Sequence, residues 1–322
     1  MSHAISRRRA PTVSSVIAFL AVGLAIYAAL YAGAEWLVAR NGHMNPVYKV
    51  ETAGLSYDWV ILGASHAMPL DFDDANAEIE TATGRKILNL AGPGTGPLYN
   101  RFVLEHLLTT RRTSNVLYVV DSFAFRSPFW NEERLADAGL LAHTPLSVSV
   151  ARRLAAYVQS ENVDLRALLD YATGFSKLND RERFETDQWD GEAQFDRVFR
   201  PSATADRRRI DYLYPSVAGA TAHQERYFST LAELVKAARA TGAAVTLAKF
   251  PLPKRFRELL PNEAEFDTRL ARLATELSIP LHDLSSAIEG KDFYADTDHL
   301  NRAGVRQLLK DHLRRMLMSP AP

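Results

Sequence analysis

This sequence predicts an α/β fold built on a mainly parallel, doubly wound sheet, and three observations predict it. Short, continuously apolar segments at 59–62, 116–120 and 244–248 have the make-up of strands buried on both faces. Stretches with helical spacing alternate with them. Several of these strands run into glycine or polar turns, which gathers chemistry-bearing side chains along one edge of the sheet.

The elements follow in order. Residues 59–62 (Trp-Val-Ile-Leu) form the first strand, which runs into the tight turn Gly63-Ala64-Ser65 and sets a serine where a helix starts. Residues 87–90 form the second and end in the glycine-rich turn 91–96, after which 98–108 has helical spacing. The third strand, 116–120, ends at Asp121-Ser122. Helical sequence at 224–241 carries Leu231, Leu234, Val235 and Ala238 at core spacing. The strand 244–248 then ends at Lys249. A helix at 263–277, a short strand at 281–284 and a last helix from Asn301 to about residue 316 complete the alternation. Between 123 and 223 the rhythm is lost. That stretch holds two helical patches (147–160 and 163–172) and an aromatic, charged segment from 175 to 214. A structureless loop of roughly one hundred residues is unusual in a compact domain, so it reads as an inserted cap or subdomain.

With 322 residues, 47% of them hydrophobic, the chain can bury a large core. Its 38 basic and 38 acidic residues cancel, which argues against a nucleic-acid partner. The absence of cysteine excludes thiol catalysis, thiolate metal sites and disulfides, and suits an oxidising compartment as well as a reducing one. The N-terminus differs from the rest. Arg7, Arg8 and Arg9 sit in a basic segment (1–15) before an apolar run, uncharged from residue 16 to Glu35. The run is long enough to cross a bilayer, and the arginines would stay in the cytoplasm with the rest of the chain exported. Ala32-Gly33-Ala34 resembles a signal-peptidase site, yet the run is longer than a signal's apolar region and continues to Trp36 and Val38. The expected organisation is therefore a membrane signal-anchor at 16–38, a polar linker at 39–56 and one domain at 57–322.

Two segments far apart in sequence carry the chemistry. Ser65 follows the first strand, and Asp296-Thr-Asp298-His299 lies near the end. They offer a nucleophile, a general base and an orienting acid for acyl transfer. Ser65 alone would read as an N-cap. Asp296 is the expected third member of the triad, with Asp298 the alternative; Asp298 is otherwise a cap for the helix after Asn301. The N–H groups of Ser65 and Gly94 are the expected oxyanion donors. His66, Asp121, Lys249 and Asp298 are weaker candidates for contact with substrate. Each has a plain structural alternative as a packing, capping or solvent-reaching side chain. No cofactor is expected, and no metal, because the Asp296, Asp298, His299 and His66 spacing fits no standard zinc signature. Trp130, Trp189 and the insertion's tyrosines read as core or as a sugar-stacking surface.

Gly63-Ala-Ser65, Asn89-Leu-Ala-Gly-Pro-Gly94 and Asp296-Thr-Asp-His299-Leu-Asn resemble three sequence blocks of the SGNH (GDSL-like) hydrolase superfamily, in the right order. The resemblance implies a flavodoxin-like α/β/α sandwich. It implies Ser65 as nucleophile, Asp296 and His299 as its partners, and Gly94 as an oxyanion donor. The Gly-x-Ser-His form behind one N-terminal anchor is similar to exported members acting on cell-envelope polymers, such as those of teichoic-acid D-alanine transfer and alginate acetylation. This implies an envelope glycan, lipid-linked sugar or other acyl donor as substrate, and a multi-pass membrane O-acyltransferase as partner. Two departures stand out. Ala64 occupies the place of the usual aspartate, and the sequence after the third strand, Val120-Asp-Ser-Phe-Ala, lacks the usual oxyanion asparagine. Losing one such donor costs about a hundredfold or more in turnover. The oxyanion hole then has only two backbone donors or a third from the insertion, and the two departures support the alternative of a catalytically weak binding or assembly module.

Overall fold

The computed structural model describes residues 12–180 and 189–319. Five parallel strands form one sheet: β1 (Ser56–Leu62), β2 (Ile87–Asn89), β3 (Arg112–Val119), β4 (Ala244–Lys249) and β5 (Leu281–Asp283). Their order, β2-β1-β3-β4-β5, is that of a flavodoxin-like sheet, whose winding reverses between β1 and β3. The register pairs Val60 with Leu88 on one side and Val116 on the other. The expected strands are neighbours, and among the described residues the insertion adds none to the sheet.

The alternation of side chains along the strands divides the core into two layers. On one face Val60, Leu62, Val116, Tyr118, Val245 and Leu247 are buried against helices α4 (Pro97–Thr110), α9 (Ala220–Ala240) and α10 (Glu263–Glu276). On the other, Trp59, Ile61, Leu117 and Val119 meet α3 (Ala75–Thr83) and α11 (Arg302–Leu308) with the helical turns after it. The fold is thus the three-layer sandwich that the sequence predicts.

The insertion is helical: α5 (Val148–Ser160), α6 (Leu165–Thr173), α7 (Phe175–Asn179) and α8 (Ala203–Leu213) are its main elements. It shares the first core layer through Trp130, Leu154 and Tyr157. Trp130 is therefore a core residue with Tyr214 partly buried against the same core, and Trp130 Nε1 donates to the Leu213 carbonyl at 3.0 Å. The segment expected as a polar linker holds helix α2 (Pro46–Thr52), capped by Asn45, with Val47 and Val50 buried. At the N-terminus α1 (Val13–Asn41) is one unbroken helix of membrane-spanning length, exposed along its first two-thirds.

Candidate functional site

The winding reverses between β1 and β3, the place where open α/β sheets hold their ligands, and Ser65 follows the carboxyl end of β1 there. Gly63 makes the turn. Its φ of +143° is closed to side chains, and a Cβ would lie 2.7 Å from the Val119 carbonyl oxygen. Ala64, not Ser65, caps the short 3-10 helix that follows, Ser65–Asp71. The serine is therefore no cap; its Oγ lies 2.8 Å from His299 Nε2. The glycine-rich turn after β2 is tied to the serine turn. Thr95 Oγ1 donates to the Gly63 carbonyl (2.8 Å), and Asn100 Oδ1 accepts from the Gly63 N–H (2.9 Å) while its amide donates to Gly96 O (2.9 Å). Gly94 has φ +61° and lies against Trp130, where a Cβ would come within 2.5 Å of the indole. A side chain at Gly94 would have to displace that buried ring.

His299 comes from a loop closed by the Tyr294–Leu300 bridge and by the Ala295 N–H donating to the His299 carbonyl at 2.9 Å. Asn301 caps α11 by accepting from the Gly304 N–H (3.0 Å), so the capping role expected of Asp298 falls to Asn301. Asp296 Oδ1 accepts from the N–H groups of Asp298 (3.0 Å) and His299 (2.8 Å), which fixes the carboxylate. Its Oδ2 is 2.8 Å from His299 Nδ1, against 3.5 Å for the nearest Asp298 oxygen. A carboxylate only accepts, so Nδ1 carries the proton and the Nε2 lone pair faces the Ser65 hydroxyl. Burial works against ionised Asp296, but the attraction and hydrogen bond of His299 outweigh it and hold the carboxyl below its usual range.

The other candidates form a buried network rather than a substrate surface. His66 Nδ1 contacts Asp121 at 2.6 Å and its Nε2 contacts Asp298 at 3.1 Å. With both nitrogens engaged and the ring buried, His66 has nothing left to offer a substrate. Burial alone would push its pKa down; Asp121 first and then Asp298 reverse this and raise it to about 10, so His66 is an imidazolium at neutral pH. Asp298 is buried, and despite that burial His299, Arg209 and His66 hold it well below the usual carboxylate range. Lys249, expected to reach an anionic ligand or solvent, is buried with Glu263 and Asp267 as its partners. Its anions belong to the chain itself.

Two residues at the site carry no sequence signal of their own. Arg209 on α8 donates from Nε to Asp298 Oδ2 at 3.0 Å, and its terminal nitrogen stands 3.5 Å from His299 Nε2. Trp189 packs edge-on against His299, with ring centres 4.9 Å apart. In sequence the first sits in a run of three arginines and the second among aromatics read as core or sugar-stacking. The ligand atoms of His66, Asp298 and His299 lie within 4.8 Å of one another. All four ring nitrogens are already engaged and Arg209 holds Asp298, so the cluster fits a bound metal poorly.

Comparison with known proteins leaves the assignment to these side chains. No protein-family model matches the chain, and no curated protein matches it. Among solved structures it is similar to a Bacteroides fragilis protein provisionally assigned as an acylhydrolase: 12% identity, 81% of this chain and 88% of that one, TM-score 0.40. It is also similar to a GDSL-like lipase from Bacteroides thetaiotaomicron, with 9% identity, 80% and 87% covered, TM-score 0.38. A third is a Streptococcus pneumonia protein provisionally assigned as a platelet activating factor, with 12% identity, 92% and 98% covered, TM-score 0.35. Likeness at this level assigns neither family nor activity.

Proposed function

We propose that the protein is a serine esterase or O-acyltransferase of SGNH type, anchored in a membrane by α1. The observation that carries this reading is the chain of two 2.8 Å contacts, Ser65 Oγ to His299 Nε2 and His299 Nδ1 to Asp296 Oδ2. In the proposed reaction His299 takes the Ser65 proton as the oxygen attacks an acyl carbonyl. The imidazolium formed is faced by the Asp296 carboxylate, 2.8 Å from Nδ1. The N–H groups of Ser65 and Gly94 receive the oxyanion. The proton then passes from His299 to the leaving oxygen, and water or an acceptor hydroxyl releases the acyl group from Ser65 by the same steps in reverse.

Anchoring is supported by the helix itself. It runs without a break through 32–34, where a signal peptidase would need an extended chain, and Tyr27 and Tyr31 ahead of that point bond to the folded domain. With the arginines on the cytoplasmic side, the domain would lie outside, on the periplasmic side of an inner membrane. An acylated envelope glycan or lipid-linked sugar is the proposed substrate, and a multi-pass membrane O-acyltransferase the proposed partner. A groove of about 250 Å³ supports a donor arriving from the membrane side, because its lining runs from Trp189, which packs on His299, to Met44 and Asn45 just beyond α1.

One observation favours a second reading. Ser65 and His299 are each only 3% exposed, as befits a weak SGNH-like module that recruits an acyltransferase. A fluorophosphonate probe applied to the full chain in detergent separates the two. Labelling that disappears in Ser65→Ala, and nearly so in His299→Ala, is expected for the enzyme, with Asp296→Ala losing less. A wild-type chain that neither labels nor hydrolyses an aryl acetate would leave the assembly module.

A further inference from the structure

Apolar side chains left exposed outside α1 concentrate on one part of the insertion. Leu146, Val148, Leu165, Leu169 and Phe175 are each at least half exposed. Helical spacing places Leu165, Leu169, Ala172 and Thr173 on one stripe of α6. The C-terminal end of that stripe meets α1. The Tyr27 hydroxyl donates to the Thr173 carbonyl (2.5 Å), and the Tyr31 hydroxyl lies 3.5 Å from the Tyr171 carbonyl. Both carbonyls belong to the last turn of α6, where a helix has no acceptors' partners of its own. Water normally serves there; hydroxyls from a neighbouring helix matter most where water is absent.

Depth along α1 makes the same point. Tyr27 lies eight residues before Glu35, about 12 Å along a helix axis. Glu35 marks the wet end: it pairs with Lys177 and accepts from the Leu146 N–H, with Arg40 over the Trp36 ring beyond it. The end of α6 and Phe175 therefore sit beside the apolar part of α1, below its first charge. Arg166 and Asp170 are the charged groups of α6. Arg166 is exposed with a long side chain that can reach outward, and Asp170 is spent on Ser176.

We propose that this face of the insertion, α6 and α7 beside α1, is immersed in the outer leaflet of the bilayer. Its occupant is lipid acyl chain, at the 5–10 Å depth roughly usual for interfacial segments. The proposal rests on the reading that α1 spans a membrane. It makes the insertion a second membrane contact that fixes the tilt of the domain, so that the site faces the bilayer at a set height.

The chain has no cysteine, so single-cysteine variants take one label each. Leu169→Cys, Phe175→Cys, Leu20→Cys in the span and Lys236→Cys on the exposed face of α9 would carry nitroxides, in full chain reconstituted into phosphatidylcholine–phosphatidylglycerol vesicles. Accessibility to oxygen, which dissolves in lipid, is compared with accessibility to a water-soluble nickel chelate. At positions 169 and 175 the expected result is the pattern of position 20, high oxygen and low nickel, with position 236 the reverse. Nickel access at 169 and 175 like that at 236, with 20 still lipid-like, overturns the proposal and leaves the anchor standing. Low access to both reagents at 169 and 175 means a protein covers the face, and also overturns it. Nickel access at position 20 would bring down the anchor and the proposal together.

Discussion

Arg209 brings a fixed positive charge within 3.5 Å of the nitrogen that would accept the serine proton. Removing that charge makes a proton on His299 easier to hold at low pH. In Arg209→Gln the acid limb of kcat/KM for an aryl ester is therefore expected to move to higher pH. Arg209→Lys should bring it most of the way back, since the charge returns even though the Nε–H bond to Asp298 does not. A pH–rate profile of the three proteins checks this. A limb that stays in place in Arg209→Gln would reduce Arg209 to a packing residue. Gly63 permits an equally local prediction. With φ at +143° and the Val119 carbonyl 2.7 Å from any Cβ, Gly63→Ala forces both backbone strain and a displaced strand end. A loss of about 1–3 kcal/mol from strain alone is expected in denaturant unfolding, along with loss of probe labelling.

At the scale of elements, the junction of α1 with the insertion turns on Lys177, which is buried with Glu35 as its ion-pair partner. Burial pushes the Lys177 ammonium down from its ordinary range, and Glu35 only partly restores it. Removing one member of such a pair costs more than removing both, because a lone charge is left in a poor solvent. Glu35→Gln is expected to lower Tm clearly, by an amount equivalent to roughly 2–3 kcal/mol. Glu35→Gln combined with Lys177→Met should recover most of that. Thermal melts of the single and double variants in one detergent decide it; additive losses would mean that the pair is not what joins the elements.

For the molecule as a whole, pH should act through His66. Its folded pKa of about 10 lies above the unfolded value of 6.5, so the folded state holds the proton more tightly. The stability this contributes is complete below about pH 6.5 and is lost as pH rises through 10. Asp298 has the opposite sign: its carboxyl is held low, so its contribution is present above the usual carboxylate pKa and disappears only in acid. Unfolding free energy measured from pH 6 to 10 should fall for the wild type and be visibly flatter for His66→Gln. Equal slopes would mean that His66 is not charged in the fold.

What the sequence determined by itself is what neighbouring residues can encode. Apolar runs gave four core strands and the fifth, the glycine turn after β1 marked Ser65, and Asp296 stands close enough to His299 to orient it within one loop. The apolar run of α1 needed only its own composition. Tertiary structure decided everything that depends on which distant segments the fold brings together. Arg209 meets Asp298 across 89 positions and Asp121 meets His66 across 55, and no local period or turn rule links such pairs. It withdrew His66 and Lys249 from the substrate by giving them buried carboxylate partners, and it handed the cap of α11 from Asp298 to Asn301. The reason is physical. A strand or a turn is set by steric preferences and burial patterns spanning a few residues, whereas a buried charge takes whichever partner the folded chain brings within reach.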